Sequence, residues 1–169
     1  MIKKFLIISF IAFFLNFPIY SATKSSGIKS DGRQDLSFLA VKNSNFKKGY
    51  DALKQAKKYA KKGRIQKAKK RFNDTIKFFL LANEETPNEP IILSYLGFSY
   101  KNAGDFLMAE IYYTQGLEID PKNIDINRYL GELYIETNKI DKAVERLKIL
   151  EDCNCLQYKD LAEIIKLDQ

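Results

Sequence analysis

Apolar residues recur at helical spacing from about Leu36 to the end of the chain, and no segment alternates apolar and polar positions as a β-strand would. The preceding residues, 23–35, are small and polar, contain two glycines and carry no periodic apolar pattern. We therefore predict a flexible leader over residues 23–39 and an all-helical domain over residues 40–169.

The helical pattern repeats with a period of 34 residues. A shift of 34 places residues of the same kind on one another: Leu96 on Leu130, Gly97 on Gly131, Tyr100 on Tyr134, Phe106 on Ile140 and Ala109 on Ala143. The turn residue Gly104 falls on Asn138, another residue that tolerates left-handed backbone angles. The period predicts pairs of helices, each pair joined by a tight turn.

A further copy of the pattern lies earlier in the chain and is displaced by 41 residues. That shift aligns equivalent positions of the two copies: Tyr59 with Tyr100, Gly63 with Gly104, Ala68 with Ala109 and Phe72 with Tyr113. The surplus of seven residues is close to two helical turns, so the second helix of the first pair can lengthen with the same face inward. We place the surplus within Ile76–Asn83 and the three repeats at about 49–89, 90–123 and 124–156.

An amphipathic stretch, Gln157–Leu167, follows the third repeat, with Leu161, Ile164 and Ile165 on one side. Stacked repeats leave an apolar face at their end, which a capping helix covers. The predicted fold is therefore an all-α, short right-handed α-solenoid of seven helices: three helix pairs and a C-terminal cap at residues 157–168.

The middle repeat carries the pattern most completely, at Leu93, Leu96, Gly97, Tyr100, Ala109, Tyr113 and Asp120-Pro121. With these residues the chain resembles the tetratricopeptide-repeat (TPR) family. The resemblance implies a protein-interaction module without catalytic activity, whose partner lies in a concave groove lined by the first helix of each pair. On this chain the resemblance places partner-binding residues at Tyr95, Phe98, Lys101, Asn102, Arg128, Tyr129 and Glu132. A basic face of Lys54, Lys57 and Lys61 would extend this surface.

Two observations limit what the groove is expected to do. Tyr95, Phe98 and Tyr129 have an alternative interpretation, in which they only pack against neighbouring helices. TPR proteins that hold a partner's C-terminal carboxylate use Lys and Asn one turn apart on the first helix. The corresponding pairs here are Ser94/Phe98 and Arg128/Glu132. We therefore do not expect that specificity.

The N-terminus has the pattern of an export signal. Lys3 and Lys4 precede an apolar run from Phe5 to Phe17, and Pro18 ends it shortly before the small residues of positions 21 and 22. We predict a signal peptide over residues 1–22 and a periplasmic or secreted protein. The alternative is an uncleaved signal that anchors the chain in the inner membrane.

Composition argues against several classes of function. The chain has no histidine, so it lacks a general base that titrates near neutral pH and the commonest transition-metal ligand. We predict no enzymatic activity, no cofactor and no metal site. Cys153 and Cys155 leave three possibilities open: a local disulfide, free or intermolecular thiols, or a redox-active or copper(I)-binding pair. The resemblance of this pair to those of small exported alphaproteobacterial TPR proteins favours the structural disulfide.

Charge is unevenly distributed along the chain. Residues 24–77 hold 17 Lys/Arg and 4 Asp/Glu, whereas residues 78–169 hold 9 and 17. This separation could steer an anionic partner, join copies head to tail, or only reflect solvated helix faces. For the basic stretch Lys57–Arg71, an anionic membrane surface is favoured over nucleic acid, because no nucleic-acid recognition fold accompanies it.

The sequence thus predicts an exported protein-interaction module, a scaffold or assembly factor in the cell envelope. Two alternatives stay open. One is a thiol-dependent accessory factor for redox or metal handling that uses Cys153 and Cys155. The other is a self-assembling structural subunit joined basic end to acidic end.

Overall fold

The computed structural model describes residues 36–168, and the regular structure in this part of the chain is helical. Its α-helices are α1 (Leu36–Lys42), α2 (Ser44–Lys61), α3 (Ile65–Glu85), α4 (Pro90–Ala103), α5 (Phe106–Ile119), α6 (Ile124–Glu136), α7 (Ile140–Ile149) and α8 (Leu156–Asp168). A short 3-10 helix, Glu151–Cys153, lies between α7 and α8. The predicted signal peptide and the first part of the predicted leader lie outside the described residues.

Helices α2/α3, α4/α5 and α6/α7 form three antiparallel pairs, and α8 packs against α6 and α7. The turn within each pair contains one residue with positive φ: Gly63 (66°), Gly104 (95°) and Asn138 (57°). These are the positions that the 34- and 41-residue shifts align. Because left-handed angles suit Gly and Asn, each pair can reverse direction within two or three residues. The predicted α-solenoid of three pairs with a capping helix is confirmed.

Helix α1 corrects the predicted leader and the predicted count of seven helices. It begins at Leu36, four residues before the predicted start of the domain, and buries Leu39 against the first pair. The physical reason is that Leu36, Leu39 and Ala40 lie at helical spacing and cover an apolar face that the first pair leaves open. The described residues therefore form eight α-helices.

Asn43 fixes the junction between α1 and α2. Its side-chain oxygen accepts a hydrogen bond from the backbone N–H of Phe46 (2.8 Å), which caps α2. Its Nδ2 donates to the carbonyl oxygen of Ala82 (3.0 Å) and to Oγ1 of Thr86 (2.7 Å). One buried amide thus connects the start of α2 to the end of α3.

The first pair is longer than the second, as the shift of 41 predicts. Helix α3 has 21 residues and α5 has 14. The additional turns place Phe79 over Gly49, where an added Cβ would lie 2.9 Å from the ring. In the second pair Gly97 makes the equivalent close approach to Tyr113, at 2.6 Å. The longer hairpin therefore adds one more layer of the same small-against-aromatic packing.

The core consists of two clusters of buried residues, one centred on the first pair and the other on the last two pairs. Phe98 and Tyr100 of α4 pack against both clusters. Leu161 of α8 is fully buried and lies against Gly131, which closes the apolar end of the third pair. Within residues 36–168, no helix combines the length and the apolar character needed to cross a membrane.

Candidate partner-binding groove

The first helices of the three pairs, α2, α4 and α6, run in the same direction and lie side by side. They bring together most of the residues predicted to bind a partner. The surface that we call the groove consists of Tyr50, Lys54, Lys57 and Lys61 from α2, Tyr95, Phe98, Lys101 and Asn102 from α4, and Asp125, Arg128, Tyr129 and Glu132 from α6.

A row of aromatic rings joins these helices. The Tyr95 ring stacks on Phe79, with centroids 5.2 Å apart, and lies 5.9 Å from the ring of Tyr50. The Phe98 ring meets the ring of Tyr129 edge-on at 5.3 Å. Tyr95, Phe98 and Tyr129 are half-buried, so each packs against neighbouring helices and keeps part of its surface in the groove. Burial raises the pKa of Tyr95 and Tyr129, which keeps both phenol groups neutral.

Cationic groups lie beside these rings. The ammonium nitrogen of Lys57 is 4.4 Å from the centroid of the Phe98 ring. The guanidinium carbon of Arg128 is 5.0 Å from the centroid of the Tyr129 ring. At these distances a cation is attracted by the electron-rich face of the ring. The floor of the groove therefore combines aromatic surface with positive charge.

Several of the predicted partner-binding charges are instead paired within the chain. Lys101 Nζ lies 2.6 Å from Oε1 of Glu136 and 3.4 Å from Oε2 of Glu132. Arg128 Nη2 lies 2.9 Å from Oε1 of Glu132. The side chains of Lys101 and Glu132 are only 10% and 16% exposed. This network connects α4 to α6, so the charges of its members are already partly neutralised within the chain before any partner binds.

Helix α8 completes the groove at one end, which the sequence did not indicate. Gln157 Nε2 donates a hydrogen bond to Oδ1 of Asp125 (3.0 Å). Asp160 Oδ2 lies 3.4 Å from Nε of Arg128, within ion-pair distance but without hydrogen-bond geometry. These contacts join residues more than 30 positions apart. Tyr50 was also missed, although it lies on the same helical face as Lys57, seven residues away.

Lys57 lies beside the aromatic rings of the groove without an ion-pair partner among the described residues, unlike Lys54, Lys101 and Arg128. Lys54 pairs with Oδ1 of Asp51 at 2.7 Å, but no ion pair of Lys57 is found in the described part of the chain. The pKa of Lys57 is lowered, first by burial of its ammonium group and then by repulsion from Arg128, while Asp125 acts in the opposite direction. An anionic group of a partner beside Lys57 would offset both the burial of its ammonium group and the repulsion from Arg128.

The remaining predicted residues play local roles or stay exposed. Asn102 Nδ2 donates to the carbonyl oxygen of Phe98 at 2.8 Å, within the same helix. Lys61 lies exposed at the end of α2 and makes no ion pair with any residue from 36 to 168. It lies one helical turn beyond Lys57 and extends the positive potential of the groove toward the turn.

Comparison with known proteins agrees with this architecture. Residues 102–154 match the family model described as tetratricopeptide repeat. The matched segment runs from the end of α4 to the connection between α7 and α8 and supports assignment to the TPR family. Its fold is similar to the first TPR of Spaghetti (RPAP3) bound to HSP90 peptide SRMEEVD, with a TM-score of 0.51 and 16% identity. That alignment covers 72% of this chain and 92% of the other.

A second TPR structure that aligns is the C-terminal TPR-containing domain of an FK506-binding protein from Plasmodium falciparum. Its TM-score is 0.46 at 20% identity, and the alignment covers 71% of this chain and 87% of that domain. Among curated proteins, no sequence match to this chain is found.

The two cysteines lie outside the groove. Cys153 and Cys155 form a disulfide, with Cα atoms 5.1 Å apart, around Asn154 in a left-handed conformation (φ 46°). The bridge lies in the connection between α7 and α8. Residues 36–168 contain no group of three or more His, Cys, Asp or Glu side chains that could hold a metal ion.

Proposed function

We propose that this protein binds a segment of another protein in the groove of α2, α4 and α6, and that it acts after export as a scaffold or assembly factor in the cell envelope. The observation that carries the proposal is the row of half-buried rings with the ammonium group of Lys57 above it. Partly exposed aromatic side chains beside cations are typical of residues that anchor protein interfaces.

The groove also restricts the chemistry of the partner. Lys57 lies near Arg128, and the pKa of Lys57 is lowered, so a carboxylate side chain would be favoured there. Apolar or aromatic side chains of the partner would pack on Tyr50, Tyr95 and Tyr129. We therefore propose an extended or helical segment that carries both acidic and apolar residues. We propose binding rather than catalysis as the activity.

Export is the other part of the proposal, and it is supported by the pattern of residues 1–22. Fractionation of the native cell, with mass spectrometry of the mature N-terminus, tests it directly. We expect the protein in the periplasmic or secreted fraction, with its N-terminus near residue 23. A protein that retains Met1 and sediments with the inner membrane would support the anchored alternative instead.

The groove is tested by crosslinking and pull-down from the envelope fraction, with wild type, Lys57→Glu and Lys122→Glu. Lys57 is chosen because it contributes no ion pair among the described residues, whereas Tyr95→Ala would remove a ring stacked on Phe79. Lys122 is exposed in the connection between α5 and α6 and serves as the control with the same charge change.

We expect a specific partner to be captured by wild type and Lys122→Glu and lost with Lys57→Glu, while both variants unfold at the wild-type temperature. Capture of the same partner by all three proteins would place binding outside the groove.

A further inference from the structure

The turns that join the two helices of each pair lie along one edge of the solenoid, because α2, α4 and α6 are parallel and end there. Lys69 Nζ lies 3.8 Å from the position that a Cβ would take on Gly104, so the first part of α3, which follows the first turn, lies beside the second turn. Lys139 Nζ, in the third turn, lies 2.7 Å from Oε2 of Glu110 in α5. One continuous surface therefore contains the three turns.

Positive charge is concentrated at the first turn and the start of α3. The stretch Lys57–Arg71 contains nine Lys/Arg and no Asp/Glu. Of these nine, Arg71 is paired with Asp74 at 3.0 Å. Six others are exposed and make no ion pair with any described residue: Lys58, Lys62, Arg64, Lys67, Lys69 and Lys70. Their mutual repulsion is unrelieved, so this surface attracts anions.

Large apolar side chains stand exposed among these cations. Ile65, at the start of α3, is 62% exposed. Phe106 and Leu107, at the start of α5, are 41% and 70% exposed. They occupy equivalent places after neighbouring turns, so they project from the same edge. We call the turn edge the surface formed by the six cations named above (Lys58, Lys62, Arg64, Lys67, Lys69 and Lys70) with Ile65, Phe106 and Leu107.

We propose that the turn edge docks on the surface of an anionic phospholipid membrane, with its lysines at the headgroup phosphates and Ile65 and Leu107 inserted at the boundary of the acyl chains. Basic residues near an anionic bilayer gain attraction, and apolar side chains between them gain burial. This inference does not rest on the proposed groove function.

The apolar side chains distinguish a membrane from nucleic acid. Lysines that contact the phosphates of a nucleic acid gain binding free energy through the release of counterions. Single-stranded binding surfaces add several aromatic rings on which bases stack, whereas the two most exposed apolar side chains of the turn edge, Ile65 and Leu107, are aliphatic and Phe106 is less exposed. A bilayer, in contrast, offers both phosphate groups and an apolar layer beneath them.

The experiment is vesicle flotation of the protein purified from its native cells, so that its N-terminus is the natural one and is the same in every variant. Vesicles contain phosphatidylcholine alone or with about 30% phosphatidylglycerol, an anionic content that gives a negative surface potential. The variants are Lys67→Glu/Lys70→Glu, Ile65→Ser/Leu107→Ser, and Lys122→Glu/Lys159→Glu. The last has the same net charge change away from the turn edge, and circular dichroism confirms that each variant is folded.

We expect wild type to bind the anionic vesicles and to be released by salt. The change at Lys67 and Lys70 should weaken binding at least about tenfold, since each basic residue contributes appreciably at an anionic surface. The change at Ile65 and Leu107 should also weaken it about tenfold through lost apolar burial. The control at Lys122 and Lys159 should remain within about twofold of wild type, because charges farther than a Debye length are screened.

Three outcomes would overturn the proposal. Equal binding to neutral and anionic vesicles would show that the turn edge is not responsible. If the control variant weakens vesicle binding equally, the affinity depends only on the net charge of the protein. Binding to single-stranded RNA that is tighter than to vesicles, lost with Lys67→Glu/Lys70→Glu and unchanged with Ile65→Ser/Leu107→Ser, would assign the turn edge to nucleic acid.

Discussion

Helix α2 contains a glycine in its interior at the point where it crosses α3. A Cβ on Gly49 would lie 2.9 Å from Cδ1 and Cε1 of the Phe79 ring. That ring is fully buried, with centroids 5.6 Å from Phe46 and 5.2 Å from Tyr95. It cannot move aside without displacing further rings. We predict that Gly49→Ala destabilises the protein, although alanine is the better helix former.

The magnitude follows from two opposing terms. Overpacking of a well-packed core costs about 1–3 kcal/mol. Alanine in place of glycine within a helix recovers about 1 kcal/mol. The net loss of unfolding free energy should be about 1 kcal/mol, equivalent to a fall in Tm of roughly 3–5 °C for a domain of this size.

Urea unfolding of wild type, Gly49→Ala, Phe79→Leu and the double variant measures the coupling between the two residues. Leucine is smaller than phenylalanine and leaves space for the new methyl group. In the Phe79→Leu background Gly49→Ala should therefore be neutral or stabilising, with a coupling energy of at least about 1 kcal/mol. If Gly49→Ala stabilises the wild-type protein, or if the two effects simply add, the close crossing of α2 and α3 is refuted.

Three further predictions test other parts of the fold. Lys101→Met should lower the unfolding free energy by about 1–3 kcal/mol, because it leaves Glu136 without its cation and Glu132 with Arg128 alone, and urea unfolding checks this. The pKa of Glu110 is lowered, chiefly by its hydrogen bond from Lys139. The stability that this carboxylate contributes is present above its unfolded pKa and lost as pH falls through the folded pKa. The stability difference between wild type and Glu110→Gln should therefore be constant near neutral pH and shrink below about pH 4.5, as thermal unfolding at several pH values would show. Replacement of both cysteines by serine should lower the unfolding free energy by only about 1–2 kcal/mol, since the closed loop is very short. It should leave partner capture unchanged. Lost capture with intact stability would support the thiol-dependent alternative.

The repeat architecture was predictable because it depends on local spacing. A helical face that must stay inward tolerates insertions of whole turns, and for this reason the surplus of seven residues located the longer α3 correctly. The turn residues Gly63, Gly104 and Asn138 were readable for the same reason, since positive φ restricts residue type. Each of these features leaves a signature within a single repeat.

The features that were missed depend on contacts between distant residues. The pairing of Lys101 with Glu136 joins positions 35 apart, and each side chain alone resembles a solvated charge. Helix α1 has only seven residues, about two turns, and its packing against the first pair is what reveals that Leu39 is core. The place of α8 beside Asp125 follows from the geometry of the α7–α8 connection, which contains the disulfide.

Helix α2 supplies cations to both proposed surfaces, and its geometry keeps them separate. Successive residues of an α-helix point about 100° apart, so Lys57 and Lys58 cannot face the same surface. Lys57 lies over the Phe98 ring in the groove, whereas Lys58 belongs to the exposed cations near the first turn. Lys57→Glu should therefore remove partner capture and leave vesicle binding intact. Lys67→Glu/Lys70→Glu should do the reverse. If both activities fall together in either variant, the groove and the turn edge form a single binding surface, and the division of the basic charge between two partners is wrong.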